Sequence, residues 1–385
     1  MVAVTNLDVC YNFPHRVTNA GERHSLIFWD DLNDDNCVNT NEVVSRVEFP
    51  PSKHITSTTK RISYGGFDHD KNGLLDWWEH SVGLESSEGA NTDSDLDGLV
   101  NLHEYWAGTN PLVPDGSNTA LSVLCRSVDD RLRVATSPVE SMPIYNNYYE
   151  NASNGVFEVN SSCWATGLDF SCLSVWNNSN EPHSHGGTVI SRRHILWAQH
   201  WALGVGSALY FRGTNGVVYT RFVGGSSVVK LDGIESDINV AVLTEELPEC
   251  VVSVPLLSPA VFRNINVGTY LPLLVINQDK KALVFDLSRI CYPGDDLGRV
   301  FLLKPEMNHR RSFFQTLRGN DSGSPTFLVY GNKLVLVGTH WSSNSDSSVA
   351  MAIEKIQDAM DYLSPGYNLK IENFSIKSNE SESEE

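Results

Sequence analysis

Long hydrophobic runs are missing: no stretch approaches 18 uninterrupted apolar residues, so no membrane span is expected. Positive charge is scarce as well. The 28 Lys and Arg stand against 47 Asp and Glu, a formal charge of −19 that repels phosphates and argues against a nucleic-acid partner. The seven cysteines are odd in number and spread too widely for a zinc ribbon or a dense disulfide scaffold. Cys163 and Cys172 could pair in an exported protein, and the sequence leaves that open. The opening Met1-Val2-Ala3-Val4-Thr5 has neither a charged n-region nor an apolar h-region, so no signal peptide is visible in this chain. Wholesale disorder is excluded, because 41% of the residues are hydrophobic and only 19% charged. A chain of 385 residues suits two or three domains with a sizeable core.

The negative charge is concentrated. Ten carboxylates and one Lys fall between Asp68 and Glu104, a net of −9. Two windows there repeat one pattern, Asp68-His69-Asp70-Lys71-Asn72-Gly73-Leu74-Leu75-Asp76-Trp77-Trp78-Glu79 and Asp93-Ser94-Asp95-Leu96-Asp97-Gly98-Leu99-Val100-Asn101-Leu102-His103-Glu104. Each puts oxygen ligands at loop positions 1, 3, 5, 9 and 12 (Asp68, Asp70, Asn72, Asp76, Glu79; Asp93, Asp95, Asp97, Asn101, Glu104) and Gly at position 6. Ca²⁺ takes six to eight hard oxygens, the Gly permits the sharp turn, and the final Glu closes the shell. Position 7 carbonyls come from Leu74 and Leu99, so about two structural Ca²⁺ ions are expected. A solvated acidic linker is the bland alternative, and two full matches, each running into a helix-like stretch, weigh against it. Only 13 residues (80–92) separate the loops, so the segment resembles the abbreviated EF-hand-like repeats of extracellular dockerin-like modules. A weaker third window, Asp31 to Glu42, has Asn36 where Gly belongs.

From about residue 160 short β-rich runs alternate with Gly, Asn and Ser turns, and one amphipathic helix is expected over Ala352 to Leu363. Three motifs follow in order: Gly187 to Trp201, a strand-turn-strand that carries His200 near its end; Glu235 to Leu243, with Asp237 at the mouth of a buried strand; and Gly319-Asn320-Asp321-Ser322-Gly323-Ser324-Pro325. Singly, each reads as a packed His, a cap or a turn. Together, in this order and with separations of 37 and 85 residues, residues 160–365 resemble the chymotrypsin-like (trypsin-fold) serine peptidases.

The resemblance implies a mostly β fold, a chymotrypsin-like double β-barrel with a C-terminal helix. It makes Ser322 the nucleophile, His200 the general base and acid, and Asp237 the orienting carboxylate, with the amides of Asn320 and Ser322 as oxyanion donors. His194 is expected to be structural. Three departures stand out. Asn320 replaces the family's usual Gly, Trp201 replaces a frequent Cys, and no Arg-Ile-Val-Gly-Gly-like processing site precedes the barrel. Asp321 is therefore expected to find an internal partner. Gly338-Thr339-His340-Trp341 resembles the Gly-x-His-Trp stretch of glutamyl endopeptidases, which implies that His340, with Thr316 near the pocket floor, selects Glu or Gln before the cleaved bond; the bland alternative is a core His on an ordinary strand.

The domain reading is an uncertain region at 1–60, a calcium module at 61–112, a connecting region at 113–159, the peptidase at 160–365 and an acidic tail at 366–385. Protein or peptide substrates and an extracellular or periplasmic location are expected; the oligomeric state is not legible. The rivals are an inactive protease-fold binding protein and a calcium-dependent adhesion or scaffold protein.

Overall fold

The computed structural model describes residues 3–4, 24–29, 43–49, 74, 78–79, 82–84, 88–97, 99–107, 110–114, 120–135, 137–177, 186–231, 234–265, 271–290, 299–305, 307–342 and 345–374. The chain divides into two compact units. One consists of Met1–Asp95, Val100–Tyr105 and Asn110–Val113, the other of Leu96–Leu99, Trp106–Thr109 and Pro114–Glu385. In the first, β1 (Ala3–Val4) runs parallel, and β3 (Val43–Phe49) antiparallel, to β2 (His24–Trp29) between them. Helix α1 (Asn101–Ala107) continues from the second acidic window. Residues 31–42, the weaker third window, lie outside the described residues.

The larger unit begins with α2 (Ala120–Val134), α3 (Pro138–Ser141), β4 (Tyr145–Asn146), α4 (Tyr148–Asn154) and β5 (Glu158–Val159). Residues 114–159, set apart as a connecting region on sequence, thus share one compact unit with everything that follows. On sequence that stretch reads as a connector with some strand, although Leu121, Leu124, Cys125, Val128 and Leu132, all buried in α2, recur at helical spacing.

Six strands, β6 (Ser174–Asn177), β7 (Thr188–Val189), β8 (His194–Ala198), β9 (Ala208–Arg212), β10 (Val218–Leu231) and β11 (Ile234–Leu243), pair in the order β6-β9-β10-β11-β8-β7. An antiparallel bridge between Leu173 and Thr188 joins the two ends of this sheet and closes a barrel. The second barrel uses β13 (Pro272–Ile276), β14 (Ala282–Ile290), β15 (Arg299–Leu303), β16 (Pro325–Tyr330), β17 (Lys333–Ser342) and β18 (Ser345–Ser348). Pairing of β16 with both β13 and β17 closes it, while the short β12 (Leu256–Leu257) and β19 (Ile371–Glu372) extend it beside β17. Closure removes the unpaired edges that a flat sheet exposes. This is the expected mostly β, chymotrypsin-like double barrel. Between β12 and β13 lies α5 (Pro259–Asn264), capped by Ser258, whose hydroxyl accepts the Val261 N–H at 3.1 Å.

Strand β13 is buried at every position because the barrel core lies on one side and α2, which also packs on β16, lies on the other. Beneath that helix Arg310, in α6 (Asn308–Arg311), is fully buried between Asp129 of α2 (2.6 Å) and Asp286 of β14 (2.9 Å). The final helix α7 (Ile353–Leu363) falls where its apolar periodicity placed it. Residues 366–374, grouped with the acidic tail on sequence, instead add β19 beside β12 and stack Phe374 on Tyr330 with ring centroids 5.0 Å apart.

Candidate active site

Register positions His200 and Asp237. Strand β8 pairs antiparallel with β11, Ala198 opposite Ile238, so the 3₁₀ turn Gln199–Trp201 that follows β8 leaves His200 level with Asp237. The His200 backbone N–H donates to Asp237 Oδ1 at 2.9 Å, and Nδ1 lies 2.7 Å from Oδ2. A carboxylate at Nδ1 holds the proton on that nitrogen and leaves Nε2 as an acceptor. Ser322 Oγ stands 2.8 Å from Nε2.

The serine comes from the second barrel on the turn Gly319–Asp321. Gly323 follows at φ +80°, and a Cβ there would stand 3.2 Å from the Ala198 backbone nitrogen, so only Gly lets the turn approach β8 this closely. Backbone bonds from Gly323 N–H to His340 O (2.9 Å) and from His340 N–H to Ser324 O (2.8 Å) fasten the turn to β17. Asp321, one residue before the serine, is buried and accepts the N–H groups of Gln278 (3.0 Å) and Arg318 (2.6 Å).

Asn320 differs from a ready oxyanion donor. The Gly319 carbonyl oxygen lies 3.2 Å from Ser322 Oγ, so the single hydroxyl proton has two acceptors, His200 Nε2 and Gly319 O. In a planar trans peptide the N–H points opposite to the C=O, so the Asn320 N–H is directed away from the Ser322 hydroxyl. The N–H of half-buried Asn320 is thus not aimed at the space beside Ser322 Oγ.

His340 is almost fully buried, and its Nδ1 is 3.0 Å from Asp346 Oδ1 on the neighbouring strand β18, where the two residues are register partners. Asp346 was not singled out on sequence; the alternation around His340 on β17 gives no clue to what faces it across β18. Gly338 makes the approach possible, since a Cβ there would stand 2.8 Å from Asp346 Cβ. Thr316 is exposed on the segment leading to the turn that carries Ser322. His194 lies apart from the relay, buried with Nδ1 2.8 Å from Ser191 Oγ, and burial pushes its imidazole down to about 4. Cys163 and Cys172 are separate buried thiols, and burial pushes Cys163 up to about 11.

In the second acidic window, carboxylate oxygens of Asp93, Asp95 and Asp97 lie within 4.8 Å of one another. Three like charges at that spacing repel unless a cation sits among them. Asn101 donates from Nδ2 to Gly89 O at 3.2 Å, while its buried Oδ1 accepts no hydrogen bond among the described residues. Glu104 is fully buried at loop position 12, and Leu96 adopts φ +64° within the turn. An all-oxygen donor set of this kind fits a hard divalent cation. Of the first window only Leu74, Trp78 and Glu79 are described, all buried; Asp68, Asp70, Asn72 and Asp76 lie outside the described residues.

No protein-family model and no curated protein matches the chain. Among solved structures it is similar to human heparin binding protein, at 15% identity and a TM-score of 0.37, covering 52% of this chain and 95% of that one. No described helix is long and apolar enough to cross a membrane.

Proposed function

We propose that this protein is a serine endopeptidase that works through an acyl-enzyme. The observation that carries the reading is the continuous relay from Ser322 Oγ through His200 to Asp237, with links of 2.8 and 2.7 Å. A Ser hydroxyl is a weak nucleophile until a neighbouring base takes its proton. His200 Nε2 accepts that proton as Oγ attacks the scissile carbonyl, then returns it to the departing amine; water repeats the cycle on the ester. Asp237 keeps the imidazole in the required tautomer and balances its charge. Stabilising the oxyanion needs the Gly319–Asn320 peptide to turn over, so that the Asn320 N–H joins that of Ser322.

The preference proposed before the cleaved bond is Glu or Gln. Asp346 takes the Nδ1–H of His340, so Nε2 is the edge left for a substrate: as an acceptor it takes a Gln amide N–H, and it donates to a Glu carboxylate only when it too carries a proton. The Asp93 to Glu104 window is proposed to hold Ca²⁺, which as a bound ion neutralises the packed carboxylates and stiffens the loop. The first window is proposed to hold a second ion, and the protein to act outside the cytoplasm, where calcium is plentiful.

Reaction with a fluorophosphonate probe, with and without excess EGTA, tests the reading. Labelling that disappears in Ser322→Ala is expected; its absence under both conditions would sink the peptidase assignment. The Gly319 carbonyl beside the hydroxyl favours one second reading, a protease-fold binding protein with an unformed oxyanion hole, and that reading forecasts no labelling.

A further inference from the structure

A cavity adjoins Ser322. Its walls include Ser174, Gly186, Asn277, Lys280, Asn320 and Ser322, so it draws on both barrels and on the nucleophile turn, yet includes neither Thr316, His340 nor Asp346. Lys280 dominates its chemistry. The residue ends the turn between β13 and β14 in the left-handed region, φ +54°, where a residue other than Gly is uncommon. It is only 6% exposed. Its backbone is held on both sides, by Lys280 N–H to Asn277 O (3.0 Å) and Ile144 N–H to Lys280 O (2.9 Å).

The ammonium makes no hydrogen bond among the described residues. It lies 5.9 Å over the ring centroid of Tyr148 and 3.9 Å from where a Cβ of Gly186 would stand. Gly186 thus leaves room in front of the charge, and any side chain there would meet Ser174 O at 3.1 Å. A buried ammonium without a hydrogen-bonding acceptor is a costly arrangement. Burial pushes Lys280 down to about 8, while the Asp321 and Asp279 carboxylates act in the opposite direction. Those carboxylates are engaged elsewhere: Asp321 by two backbone N–H groups, Asp279 by the Tyr149 hydroxyl and, at 3.8 Å, by Arg318. A strained, anchored, nearly enclosed cation beside the reactive serine points to a ligand that brings its own negative charge.

A peptide lying across Ser322 has an acyl side and a leaving side. The residues assigned above to the acyl side chain, Thr316 and His340, are not among the walls of this cavity, which leaves it for the other side of the peptide. We propose that the cavity is a subsite for a carboxylate side chain one or two residues beyond the scissile bond, with the Lys280 ammonium as its counter-charge. The proposal rests on the peptidase reading for the direction of the chain, but its test does not need turnover.

Fluorescence anisotropy on Ser322→Ala measures binding of two labelled peptides that share Glu before the scissile bond and are amidated at the carboxyl end. One has Glu at both of the next two positions, the other Gln. Binding about tenfold tighter for the acidic peptide is expected, as for a hydrogen bond between charged groups. The ratio should collapse toward one in Ser322→Ala/Lys280→Met and persist in Ser322→Ala/Lys280→Arg. A ratio near one in Ser322→Ala, a ratio that survives Lys280→Met, or no binding of either peptide overturns the subsite. Fluorophosphonate labelling of the Ser322-containing chain reports separately on the peptidase reading, so the two failures read differently.

Discussion

Ser322, His200 and Asp237 could be picked out of the sequence because each stands in a short motif whose order and spacing carry information. Their environment could not. The reversed Gly319–Asn320 peptide is a matter of two backbone angles, and nothing in the residue types at 319 and 320 distinguishes one setting from the other. Asn tolerates a left-handed backbone less well than Gly, which predicts that Asn320→Gly lowers the barrier to turning that peptide over. An increase of about tenfold in the second-order rate of fluorophosphonate labelling is expected, and an unchanged rate would mean that the peptide does not limit reaction. His194 shows how burial alone separates two nearby histidines. Its imidazole is pushed down to about 4, mainly by burial, so between pH 6.5 and 4 the unfolded chain takes up a proton that the folded chain refuses. Stability should fall by about 3 kcal/mol across that window and level off below it. Urea unfolding at several pH values checks this, and His194→Gln should flatten the slope.

At the scale of elements, strand periodicity and the final helix were readable, while tertiary staples were not. Asp129 and Arg310 are 181 positions apart, and no local pattern marks them as partners. Together with Asp286 they hold α2 against the second barrel through a fully buried guanidinium. Removing one partner of such a group leaves an uncompensated charge in the interior, so Asp129→Ala should cost about 3–5 kcal/mol in urea unfolding. Replacing Asp129, Asp286 and Arg310 together by apolar residues of similar volume should cost much less. The pairing of His340 with Asp346 escaped sequence analysis for the same reason, since it depends on the β17–β18 register and on Gly338.

For the whole molecule, charge statistics located the acidic windows but not the compact units. The windows' own prediction concerns cation removal. A cation present at 100 times its dissociation constant stabilises the state that binds it by about 2.7 kcal/mol. EGTA should therefore speed limited proteolysis within residues 88–104, and Asp95→Asn should mimic it; cleavage indifferent to both would remove the calcium assignment. The double barrel itself was foreseen, while α2 and the Tyr-rich segment, set apart on sequence as a connecting region, share one compact unit with it. They are part of its packing. The Trp164 indole donates to Ala282 O at 2.9 Å, and α2 covers β13 and β16, strands that lie well over a hundred residues further along. That arrangement fixes a timetable for synthesis. As the chain emerges from the ribosome, the apolar face of α2 must wait, exposed, through the whole of the first barrel until the strands it covers have been made.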